Sequence, residues 1–236
     1  MSEPRPNLAG VEPIARLDSQ EVSIPPLGLP GTLSVPHDAY GLVIFAHGSG
    51  SSRLSPRNIM VAKALNQRGL ATLLFDLLNP GEEEANRRAK VFDIPLLAER
   101  LVDAVRWVDR DPALQNIRIG LFGASTGAAA ALVAAAQLGD RIGAVVSRGG
   151  RPDLARSALK GVRAPTLLIV GGADTAVIPL NEQALAQLSC IKAMEIVPGA
   201  THLFAERGAL ETVTRLAAEW FERHLRQSGS ATFPSR

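Results

Sequence analysis

The sequence predicts an α/β protein, a mostly parallel β-sheet with helices on both faces. Three observations predict it. Short, nearly continuous apolar runs recur from residue 41 onward, as expected of strands covered on both sides. Longer segments of helical periodicity separate them, and this alternation is the sequence mark of a parallel sheet. The 236 residues are 46% hydrophobic and 20% charged, the balance of a soluble globular chain long enough to bury a large core.

The first 40 residues precede the alternation and hold seven of the 16 prolines. Two short strands, near 20–24 and 31–35, joined by a Pro-Gly-rich turn, predict an antiparallel edge. Strands then follow at 42–46 (LVIFA), 71–75 (ATLLF), 117–122 (IRIGLF), 142–147 (IGAVVS), 166–170 (TLLIV) and 193–197 (AMEIV). The helical patterns between and after them cover 58–69, 95–109, 126–138, 152–160, 179–188 and 208–226. Gly69 and Gly139 fall where C-terminal caps belong. The segment 77–94 (LLNPGEEEANRRAKVFDI) is too polar and proline-broken for core. It follows a strand, so it emerges on the carboxyl edge of the sheet, where ligands bind. It reads either as a gating loop or as a solvated connection. Residues 228–236 form a polar tail expected to fray. No repeat or linker divides the chain, so a single domain spanning 1–236 is expected.

Charge and cysteine content exclude several classes of function. With 25 Lys+Arg against 23 Asp+Glu, the net charge of +2 is no footprint for nucleic acid. The single cysteine, Cys190, rules out an intramolecular disulfide and a cysteine metal cluster. The N-terminus lacks the apolar run of a signal peptide. The most apolar stretch, 128–136, is about half the roughly 20 residues needed to span a bilayer. A cytoplasmic protein, with no membrane partner and no bound metal, is expected.

The chemistry centres on Gly123-Ala124-Ser125-Thr126-Gly127. Gly-x-Ser-x-Gly is weak as a bare string, but here it joins a strand to an Ala-rich helix, the setting in which such a serine is lifted above the sheet on a strained turn. A serine hydroxyl needs a base to take its proton, and the base needs an orienting acid. Asp174 follows the strand TLLIV, and His202 follows the strand AMEIV. The order Ser, Asp, His therefore falls on three strand ends, which predicts Ser125 as nucleophile, His202 as base and Asp174 as acid. Asp153 is a rival acid. His37, His47 and His224 compete for the base, with His224 read as solvated and His47 as structural or orienting.

A developing oxyanion needs two fixed N–H donors. Thr126, at the head of the helix, supplies one candidate. The Gly-rich run His47-Gly48-Ser49-Gly50 supplies the other, at Ser49 or alternatively at Gly50. This run is no dinucleotide loop, because Arg53 stands where the third glycine belongs. Arg148 and Arg151, after the strand IGAVVS, and Arg53 are candidates to clamp a substrate carboxylate; Arg57 shares that reading, and salt-bridged structural roles stand beside it. The only tyrosine, Tyr40, has Ile44 four residues on, which excludes the Tyr-x-x-x-Lys of short-chain dehydrogenases.

These residues resemble the α/β-hydrolase superfamily, and within it the dienelactone-hydrolase-like serine hydrolases and carboxylesterases. The resemblance is carried by VIFAHGSGSSRLSPRN, TLLFDLLNPGEEE, RIGLFGASTGAAAAL, VVSRGGRPDLA, TLLIVGGADTAVIPLN and VPGATHLF. It implies the α/β-hydrolase fold with an eight-stranded sheet, no cofactor, and hydrolysis of a small-molecule carboxylic ester through an acyl-enzyme. Similar sequences also form the hydrolase half of fusions with a phosphoribosyltransferase, a domain absent from this sequence. Dienelactone hydrolases proper use a cysteine nucleophile, whereas Ser125 stands here, so a general carboxylesterase is expected. No long insertion separates 147 from 152, so no large cap domain is expected, and small or extended acyl esters fit such an open site. Thioester hydrolysis and acyl transfer would use the same residues. A non-catalytic ligand-binding protein on the same fold is the alternative from another class.

Overall fold

The structure, a computed structural model, describes residues 17–79, 81–82 and 89–226. Residues 1–16, residues 227–236 with the expected tail, and part of the 77–94 segment (80 and 83–88) lie outside the described residues. Strands Leu17–Ile24 (β1) and Leu29–Pro36 (β2) pair as an antiparallel hairpin, each longer than the sequence suggests. Beyond it, β2 pairs antiparallel with Leu70–Phe75 (β4). All remaining pairs are parallel: Gly41–Ala46 (β3) with β4 and with Arg118–Ala124 (β5), then Ile142–Arg148 (β6), Thr166–Gly171 (β7) and Lys192–Val197 (β8). The eight-stranded sheet runs β1-β2-β4-β3-β5-β6-β7-β8.

Helices cover both faces, and the strand pleat divides the core between them. On one face Val43, Phe45, Phe122, Val146 and Ile169 pack under Pro56–Gln67 (α1) and Ala209–Leu225 (α5). On the other, Leu42, Ile44, Leu121 and Val145 meet Ile94–Arg110 (α2), Thr126–Leu138 (α3) and Ile178–Gln187 (α4). The helix expected over 58–69 begins at Pro56, whose missing N–H suits a first helical position.

One expectation needs correction. Residues 152–160 form no α-helix but a 3-10 segment, Pro152–Gly161, broken at Arg156 with φ +51°. The tighter winding aligns Pro152 with Ala155. The break then redirects the chain so that Leu159 also reaches the core, fully buried. Only residues 149–151 separate β6 from this segment, and no cap interrupts the sheet edge there.

Candidate active site

Parallel pairing brings the carboxyl ends of β3, β5, β6, β7 and β8 to one edge. Ser125 stands there as the N-cap of α3, with φ +51° and ψ −122°, a region that L-residues rarely adopt. Its neighbours hold it. The Ser125 N–H donates to the Arg148 carbonyl at 3.3 Å, and the Ser125 carbonyl accepts from Ala128 N–H (3.1 Å) and Arg151 N–H (3.0 Å). The flanking glycines are sterically required. A Cβ on Gly127 would lie 2.6 Å from the His47 carbonyl oxygen and collide with that of Ala46, while one on Gly123 would press on the Ala128 backbone.

Asp174 sits in the turn after β7, its N–H donating to the Gly171 carbonyl. His202 lies after β8, in a loop anchored by the buried Phe204. The His202 ring spans the two: Nδ1 is 2.7 Å from Asp174 Oδ2, and Nε2 is 3.3 Å from Ser125 Oγ. Because a carboxylate only accepts, the hydrogen-bond network assigns the proton to Nδ1. The bare Nε2 then faces the serine hydroxyl, which donates to it. This arrangement can draw a proton from Ser125 while Asp174, its side chain 13% exposed, steadies the imidazolium.

The rival residues are engaged elsewhere. Arg151 donates to both oxygens of Asp153, at 2.9 and 2.8 Å. This pairing raises the Arg151 pKa further. Buried His47 donates from Nδ1 to the Gly48 carbonyl and accepts the Leu77 N–H at Nε2 (both 3.1 Å), bridging the loop after β3 to the loop after β4. His37 is exposed beside Asp38. His224 is not solvated as expected: its ring lies 4.5 Å from that of Trp220. Burial, and then the charge of Arg223, lower its pKa.

The two expected oxyanion donors are adjacent, with a contact that the sequence did not announce. The Ser49 N–H donates to the side-chain Oγ1 of buried Thr126 at 3.1 Å. The Thr126 amide belongs to the first turn of α3, where N–H groups have no helical partner. Gly50, the alternative donor, has φ +71°.

The arginines separate by their partners. Arg53 pairs with Glu21 at 3.2 Å and Asp76 at 3.4 Å, tying the loop between β3 and α1 to the β1–β2 hairpin and to the end of β4. Arg148, only 7% exposed, has a single long bond, Nη2 to Asn58 Oδ1 at 3.5 Å. Its Nε and Nη1 have no partner among the described residues. Burial, and then the nearby charge of Arg57, push the Arg148 pKa down to about 10. Ser125, His202, Arg148 and Arg57 all line one cavity of about 730 Å³. Leu77, Leu78 and Val91 of the 77–94 segment line it too. That segment is tethered at Glu82, which accepts from Asn79 N–H, Lys90 and Arg100. Among the described residues, no group of three or more His, Cys, Asp or Glu side chains could hold a metal ion. Nor is any described helix long and apolar enough to cross a membrane.

Comparison with known proteins identifies the fold and the family. The chain is 54% identical over 217 residues to a Mycobacterium tuberculosis protein named "Putative phosphoribosyl transferase", a match covering 92% of this chain and 48% of that one. It thus spans about half the length of the curated relatives it matches. The crystal structure of dienelactone hydrolase from Anabaena variabilis superposes with a TM-score of 0.86 at 55% identity, covering 90% of this chain and all of that one. Est1E from Butyrivibrio proteoclasticus shares the fold, with a TM-score of 0.73 at 18% identity over 89% of this chain and 99% of its own. The family model for dienelactone hydrolases matches residues 29–226, and with Ser125, His202 and Asp174 gathered at the sheet edge, the chain belongs to the dienelactone hydrolase family.

Proposed function

We propose that the protein is a serine hydrolase that cleaves carboxylic esters of small or extended acyl groups through an acyl-enzyme. The observation that carries this reading is the continuous chain from Asp174 Oδ2 through the His202 ring to Ser125 Oγ. Ser125 attacks the ester carbonyl as His202 Nε2 takes its proton. The imidazolium then protonates the departing alcohol, and water, activated by the same nitrogen, releases the acid. Asp174 holds the productive tautomer and balances the transient charge. The Thr126 and Ser49 amides stabilise the tetrahedral oxyanion, each worth about 3 kcal/mol. For this the Ser49 N–H turns from the Thr126 hydroxyl toward the substrate oxygen. No cofactor enters the reaction, and a cytoplasmic setting suits it. The name of the Anabaena variabilis relative supports the bond type, since a lactone is a cyclic ester.

The test is intact-protein mass after treatment with a fluorophosphonate. A single adduct on the wild type and none on Ser125→Ala is the expected outcome, together with a loss of ester turnover of about 10⁴-fold or more in the variant. Retained turnover in folded Ser125→Ala would sink the reading. Activity that rises steadily from C4 to C12 nitrophenyl esters would refute the small-acyl preference.

A further inference from the structure

Arg148 is the only Lys or Arg among the described residues that is buried. It is also without an acidic partner among them, and so is Arg57. The surrounding sequence does not lack acids: Arg151 and Arg53, close along the chain, each hold a carboxylate. A desolvated guanidinium with unfilled N–H groups is unfavourable for folding, and a second cation beside it makes matters worse. Charges left in this state, in the same cavity as an activated nucleophile, are arranged for a ligand and not for the fold.

The cavity is divided by the sheet. Arg148 follows Val146 in the strand pleat and so faces α1, where it meets Asn58, and Arg57 precedes Asn58 in that helix. Leu77, Leu78 and Leu97 belong to the core on the opposite face. Ser125 stands between the two, at the end of the central strand β5. One side of the nucleophile is therefore cationic and the other apolar.

We propose that Arg148 and Arg57 form an anion subsite that takes a carboxylate or phosphate group of the substrate on the α1 side of Ser125, with the apolar part of the substrate lying toward Leu77 and Leu97. Two guanidiniums offer several N–H donors to the two or three equivalent oxygens of such a group. As a statement about turnover, the inference rests on the serine-esterase reading. As a statement about binding, it does not.

The experiment has two arms. In the first, kcat/KM is compared for 4-nitrophenyl hydrogen glutarate and the similarly sized, neutral 4-nitrophenyl pentanoate. Wild type is expected to prefer the anionic ester by roughly 10- to 100-fold, the range of a charge-assisted hydrogen bond. The ratio should fall toward one in Arg148→Met and in Arg57→Gln. A wild-type ratio near one, or a ratio unchanged in both variants, overturns the proposal. In the second arm, melting is followed with added sodium glutarate or inorganic phosphate, against sodium chloride at matched ionic strength. A saturable rise in Tm in wild type and in Ser125→Ala, absent in Arg148→Met, supports the subsite, and the anion giving the larger rise names its chemistry. No rise with either anion overturns it. If Tm rises while neither ester is turned over, the esterase reading fails and the subsite stands; hydrolysis without preference and without a Tm rise means the reverse.

Discussion

Ser125 is held in its unusual backbone conformation by hydrogen bonds from both sides and by glycines that let α3 lie against β3. Gly127→Ala is accordingly expected to destabilise by about 3 kcal/mol or more, because the new methyl meets backbone that cannot swing away. Urea unfolding would measure it, and an unchanged midpoint would refute the steric account. Arg148→Met should act in the other direction, leaving stability equal or raising it by about 1 kcal/mol, since it removes an uncompensated buried charge while keeping most of the side-chain volume. The placement of Ser125, Asp174 and His202 at one sheet edge was legible in the sequence because each follows a strand and the motif supplies the order. The Ser49–Thr126 bond and the isolation of Arg148 were not. Each depends on which side chains come within about 3.5 Å across the fold, and spacing along one chain does not encode that.

Among the elements, α2 shows how a single side chain sets a boundary. Asp93 caps it by accepting the Leu96 N–H at 3.1 Å. Asp93→Ala should cost about 1 kcal/mol, measurable as a lowered Tm. The segment before α2 carries a pH dependence through Glu82. Burial alone would raise the Glu82 pKa, but the Asn79 N–H, Lys90 and Arg100 outweigh burial and leave it below 4.5. Its folded pKa thus lies below the unfolded one, so the tether is intact above the ordinary carboxylate range and weakens as pH falls through the lowered value. Hydrogen exchange at Leu78, Asn79, Gly81 and Glu82 should quicken at acid pH in wild type, and be already fast at neutral pH in Glu82→Gln. Most element positions could be read from periodicity, whereas the 3-10 character of Pro152–Gly161 could not. Its apolar spacing fits both windings, and packing beneath the neighbouring helices chooses between them.

For the molecule as a whole, the parallel order from β4 to β8 was implied by alternation, while the crossing of β3 and β4 in the sheet was not written in any local pattern. Global stability should respond to pH through His224. Its folded pKa is lowered, so the unfolded chain binds the proton more tightly, and stability declines as pH falls below the unfolded value near 6.5. Comparing urea midpoints at pH 8 and pH 5 for wild type and His224→Asn tests this; an equal decline in both would assign the effect to other groups.

Helix α3, on which the proposed nucleophile is mounted, contains seven alanines, and most of its residues are buried. Alanine has no rotamers to lose on folding, so this helix becomes ordered with almost no side-chain entropy opposing it. Larger residues there would have lost rotational freedom on folding, a loss that opposes ordering of the helix under the serine. The mount beneath Ser125 is therefore low in entropic cost: little side-chain freedom is given up when the helix that presents the attacking oxygen forms.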